Sequence, residues 1–134
     1  MSNLYHLFGT DQDLEQQGFC LEYGSAQFVI ARAGGSNNKY QRLLERKLRP
    51  YRSAINAGTM DEDLTKRLLA ESYAEGIILA WDGVTDTDGN DLPFTKENVV
   101  KLLIDLPDLF TEIIQESQRI SNFVRVAAEE DAKD

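Results

Sequence analysis

The chain has 134 residues, of which 36 are Leu, Ile, Val or Phe, enough for one core of ordinary domain size and too apolar for wholesale disorder. Fourteen Lys and Arg against 23 Asp and Glu leave a net charge of -9, the wrong sign for a surface that coats nucleic acid. One cysteine and one histidine exclude an internal disulfide and a four-ligand structural zinc site, and no apolar run approaches the ~20 residues of a membrane helix.

Residues 1–17 mix Leu4, Tyr5, Leu7 and Phe8 with acids in no clean period and are predicted to form a docked N-terminal arm. This start lacks the basic and apolar regions of a secretory signal, which predicts a cytoplasmic protein with Cys20 reduced. Phe19, Leu21 and Tyr23 alternate with Cys20 and Glu22. Gly24-Ser25 follows, then Gln27 to Ala31, and together these predict a β-hairpin with positive φ at the first turn position. Gly34-Gly35 ends the second strand. Ser36 is the expected N-cap of a helix that carries Tyr40, Leu43 and Leu44 inward and stops before Pro50.

Tyr51 to Ala57 predicts a short helix closed by Gly58, and Thr59 with Glu62 has the capping-box spacing for a helix running from Met60 towards Trp81. The run Ile77 to Trp81 is apolar right round a helix axis. It predicts a buried helix end, with a short buried strand as the alternative that five residues leave open. Asp82 to Phe94 is a loop of turns, Thr95 caps a helix of roughly ten residues, and Pro107 opens the last helix. That helix is expected over 107–128. Leu106, Phe110, Ile113, Ser117, Ile120, Val124 and Ala127 recur at alternating steps of 4 and 3, a heptad seam interrupted by one serine. The expected fold is therefore mainly α, a compact helical domain of four to five helices with a small N-terminal β-hairpin. Residues 1–128 form the single domain and 129–134 an acidic flexible tail.

No catalytic or metal constellation emerges. The segment Asp86 to Gly89 resembles half of a calcium loop, but with Gly89 sixth the first ligand would be Val84 and the twelfth Thr95. Gly34-Gly35-Ser36 lacks the Lys-Ser/Thr ending of a nucleotide loop, and the spacing of His6 and Cys20 does not ask for a nucleophile and its base. A non-enzyme without cofactor or metal is expected. The distinctive feature is charge: residues 39–52 hold six basic residues against Glu45 alone, +5, leaving -14 for the remainder. Arg42, Arg46 and Arg49 recur at helical spacing, and with Arg52 they predict a self-association face. An acidic neighbour copy suits this polarity better than nucleic acid does, and head-to-tail contacts close into rings or continue as helices.

Four stretches, ARAGGSN (31–37), LRPYRSAI (48–55), GVTDTDGNDLPFTKEN (83–98) and LIDLPDLF (103–110), give the chain a resemblance to the tail assembly chaperones of long-tailed double-stranded-DNA bacteriophages. The resemblance implies a mainly helical protein of the infected bacterium's cytoplasm. It would keep the tape measure protein soluble before tail-tube polymerisation and be absent from the mature virion. It also implies a frameshifted longer form that recruits the tail-tube protein. Phe110, Ile113, Ile120 and Val124 stand at the spacings of a helix that offers apolar anchors to such a client. The alternative is a structural minor tail or tail-completion protein retained in the virion, and a further rival is a nucleic-acid-binding regulator using the basic segment.

Overall fold

The structure, a computed structural model, describes residues 3–124. Helices α1 (Leu4–Phe8) and α2 (Gln12–Gln17) precede strands β1 (Phe19–Tyr23) and β2 (Ala26–Ile30). Helices α3 (Asn38–Leu48), α4 (Arg52–Ala57) and α5 (Glu62–Gly76) lead to strand β3 (Ile78–Asp82), and α6 (Lys96–Asp105) and α7 (Pro107–Gln118) complete the fold. No helix among the described residues is long and apolar enough to cross a membrane.

The expectation of a helical domain with only an N-terminal hairpin is corrected. The hairpin forms, with Gly24 at φ 61, but β3 pairs antiparallel with β2 to give a three-stranded sheet in the order β1-β2-β3. The fold mixes helices and sheet. A helix from Met60 to Trp81 fails because α5 stops at Gly76, after which the apolar run extends with Phe28 opposite Trp81 and Val29 opposite Ala80. The physical reason is the free edge of β2, whose backbone groups need a partner that a helix end does not supply. Gly76 also admits α3 closely, since a Cβ there would stand 3.1 Å from Tyr40 Cα.

Helix α5 runs through the core. Tyr73 meets Tyr40 and Phe110 edge-on, with ring centroids 5.3 and 5.5 Å apart. The Ser117 hydroxyl lies 2.8 Å from the Ile114 carbonyl, to which it donates, so the Tyr73 hydroxyl donates to Ser117 across 2.9 Å. Ser117 therefore interrupts the apolar seam because it receives a buried phenol. Burial pushes that phenol above its ordinary pKa.

Helix α7 also ends earlier than the seam predicts. Arg119 is extended (φ -76, ψ 113), a 3₁₀ turn follows at Ile120–Asn122, and Val124 bridges to Thr10. The Asn122 side chain donates to the Glu116 carbonyl at 2.9 Å, satisfying one helix-end acceptor. Phe123 turns inward onto Phe19, centroids 5.2 Å apart. The expected helical residues 125–128 and the acidic tail 129–134 lie outside the described residues.

The N-terminal arm is docked only in part. Helix α1 has no buried residue, and Leu4, Tyr5, Leu7 and Phe8 are exposed. Helix α2 is held through Glu15, which is 1% exposed. Its carboxylate accepts from the Arg32 guanidinium, from the Ser36 hydroxyl at 2.8 Å and from the Ser36 N–H at 3.3 Å. Gly35, at φ 54, leaves room for this carboxylate, because a Cβ would stand 2.1 Å from Glu15 Oε2. Ser36 is thus not the N-cap of α3. Asn37 takes that position, and its side-chain amide donates instead to the Arg32 and Gly76 carbonyls. Similarly Asp61, not Thr59, caps α5 by accepting from Leu64 N–H at 3.0 Å.

Burial raises the Glu15 pKa, but hydrogen bonds from Arg32 and Ser36 more than offset it and hold the carboxyl below its ordinary value. Glu75 is lowered in the same way, burial being outweighed by Lys47 and Lys96. A depressed folded pKa gives stability that is present above the unfolded value and lost as pH falls through the folded one. The urea midpoint is therefore expected to fall as pH drops below about 4. Glu15→Gln should flatten that fall; an equal fall in the variant would remove Glu15 from the account.

Candidate functional site

Helix α6 buries Val99, Val100 and Leu103 and is capped by Thr95, whose hydroxyl accepts from Asn98 N–H at 3.2 Å. Its other edge carries Leu102, half-buried, and leads to Leu106 at the corner with α7. Leu106 precedes Pro107, whose ring disfavours helical geometry in its neighbour, so the backbone turns (φ -122, ψ 75) and leaves the side chain 48% exposed.

Facing this corner is the loop between β3 and α6. Trp81 Nε1 donates to the Leu92 carbonyl at 2.9 Å, Leu92 N–H donates to Val84 O at 2.9 Å, and Thr85 bridges Asp91. Asp86 Oδ1 accepts from the Asp88 and Asn90 N–H groups at 2.9 and 3.0 Å. The aspartates and glycine of this segment thus set a turn that makes a firm wall.

Between wall and corner lie two open depressions of about 520 and 250 Å³ that share Thr85, Leu102 and Leu106. The larger runs towards the hairpin over Phe28, Val84 and Leu109, and the smaller over Leu92. Together they form one groove with an apolar floor. Its rim is acidic: Asp108 and Glu112 on one side, Asp86 and Asp105 on the other. Asp105 is paired with Lys101 at 2.6 Å. The acidic field reaches the floor, because Tyr23 has its phenol pKa raised first by burial and then by Glu112 and Glu116. Such a groove can take an apolar helix or corner with a basic border.

The expected client anchors lie elsewhere. Phe110 and Ile113 are in the core, while Ile120 and Val124 are half-buried beyond the end of α7. The four share no helix face, since Arg119 breaks the helix between them. The sequence reading missed Leu106 and Leu102 as a surface pair. The signal that could have found them is the Leu-Pro step, which takes Leu106 off the helical seam.

Arg42, Arg46, Arg49 and Arg52 are all exposed and make no ion pair among the described residues. Lys47, on the inner side of α3, pairs with Glu71 at 3.2 Å and Glu75 at 3.0 Å, and Glu75 also meets Lys96 at 3.1 Å. The basic segment is thus sorted into one cation that ties α3 to α5 and five, Lys39 among them, that are exposed and make no ion pair among the described residues.

No curated protein and no solved structure matches the chain. A family model described as YdaY prophage protein matches residues 35–134, which include α3 to α7 and with them the basic face, the acidic loop and the Leu106 corner. The chain belongs to this family of prophage proteins.

Proposed function

We propose that this prophage protein is a tail assembly chaperone. It binds an apolar helix of the tape measure protein in the host cytoplasm, keeps that protein soluble until the tail tube covers it, and leaves before the virion is complete. The observation that carries the reading is the open, apolar-floored groove at the α6–α7 corner. Two of the stretches that resemble tail assembly chaperones build it: residues 83–98 supply the wall and residues 103–110 the corner with Leu106. A long helical client exposes apolar stripes before assembly, and covering them reversibly requires a groove that is open in the free chaperone.

The test is co-expression with the tape measure protein of the same prophage. The wild-type chain should move that protein from the pellet into a soluble, co-purifying complex. Leu106→Asp should abolish the rescue while its circular dichroism and melting temperature stay near wild type, because the side chain is already half in solvent. Unchanged tape measure yield, or a fixed stoichiometry of the chain in purified virions, would overturn the reading in favour of a structural tail component.

A further inference from the structure

We infer that the groove at the α6–α7 corner selects its occupant by charge: it takes a helix whose apolar stripe is bordered by Lys or Arg and turns away one bordered by Asp or Glu. The inference rests on the client reading for the identity of the occupant and adds the chemistry by which that occupant is recognised. The two depressions meet at Leu102 and Leu106, so one helix can lie across both, from the hairpin end at Tyr23 to Leu92. Apolar anchors at i, i+3, i+4 and i+7 suit such a floor.

The rim is one-sided. Among the described residues no cation lines the larger depression, and the smaller has only Lys101, which Asp105 takes at 2.6 Å. Asp86, Asp108 and Glu112 are exposed and make no ion pair among the described residues. Three carboxylates thus border an apolar floor without a counter-charge. Their field reaches that floor at Tyr23, whose phenol burial raises first and Glu112 and Glu116 raise further. A cleft lined by one sign of charge with apolar walls focuses such a field. A cation at the edge of a bound stripe gains at this rim, whereas a carboxylate there meets like charge and loses water as well. Rejection is as much a part of the selection as attraction.

A helix of another protein suits this rim better than a second copy does. Outside residues 39–52 the chain sums to -14, so most of its own surface carries the rim's sign. Within that basic stretch, the apolar dimple between α3 and α4 is lined by Glu45 as well as Arg52.

The test is binding of the purified full chain to two synthetic helical peptides that share one stripe of Leu at i, i+3, i+4 and i+7, bordered by Lys in one and by Glu in the other. At low salt the Lys peptide should bind at least about tenfold more tightly, and the margin should narrow as salt rises. Asp108→Lys with Glu112→Lys, both at exposed positions, should reverse the preference with the circular dichroism unchanged. Leu106→Ser should weaken the Lys peptide severalfold, since it removes floor and leaves the rim charge intact. Equal affinity for the two peptides, a preference that survives the charge reversal, or Lys-peptide binding that ignores Leu106→Ser overturns the inference. So does binding of neither peptide, and sedimentation of the same sample then shows whether a second copy is the occupant instead. The expected peptide preference without rescue of the tape measure protein would overturn only the client reading.

Discussion

Arg32→Ala is expected to destabilise the fold by about 3 kcal/mol, the lower end of the range for breaking a buried ion pair, because the arginine side chain itself keeps 20% exposure. The glutamate side chain has only 2%, so water cannot replace the lost guanidinium around it. Ser36 would remain as its donor, through hydroxyl and N–H at 2.8 and 3.3 Å. Two such bonds stabilise the charge less than a cation does. The substitution also removes the guanidinium 6.0 Å from the centre of the Phe123 ring. The damage should be local at first, because Arg32 holds α2 through Glu15 alone, its N–H donating to the Glu15 carbonyl at 2.9 Å and its guanidinium to the carboxylate. Urea unfolding at neutral pH measures the cost. Adding Glu15→Gln to Arg32→Ala should recover part of it, since a neutral amide is easier to leave buried than a carboxylate. A cost below about 1 kcal/mol would place this pair among ordinary surface ion pairs.

The second large effect separates core from surface within one sequence pattern. Ile113→Ala should cost about 2–5 kcal/mol, because Ile113 is 0% exposed and the cavity left in the core closes only in part. Leu106→Ala, at 48% exposure, should cost less than about 1 kcal/mol. Both residues belong to the same heptad seam, so the periodic pattern treats them as equals. Chemical denaturation of the two variants, side by side, gives the ranking. A cheaper Ile113→Ala than Leu106→Ala would reverse the assignment of core and groove. The exchange matters for the proposed function, since any partner can meet only what the core has not already used.

Several elements are legible in the residues alone because their determinants are local. Gly24-Ser25 sets the hairpin turn, and Gly58 closes α4 in the left-handed conformation at φ 72. Thr95 caps α6 through its own hydroxyl, Pro107 opens α7, and Pro50 marks the end of α3. Each depends on one or two side chains acting on adjacent backbone, and at these positions the local preference stands. The polarity of the chain is also a property of sequence, and the exposure of Arg42 and Arg46 follows from the same helical spacing that turns Tyr40 inward in α3, while Arg49 and Arg52 are exposed in the turn and helix after it.

Tertiary partners decided the rest. Ile77 to Trp81 suits a helix end or a strand equally, and the free edge of β2, more than 45 residues earlier, selects the strand. Ser36 fits an N-cap, yet a buried carboxylate from α2 claims its hydroxyl. The final seam continues past residue 118 in sequence, whereas in space the chain turns at Arg119 so that Phe123 can close over Phe19. Long-range contacts of this kind leave no local trace, because an apolar side chain records only that it is to be buried. Composition, the hairpin turn, the Thr95 cap and charge polarity were therefore determined by the sequence itself. Which leucines became core and which became the groove was decided only by the sheet edge and the α6–α7 corner, where packing used Phe110 and Ile113 and left Leu106 in water.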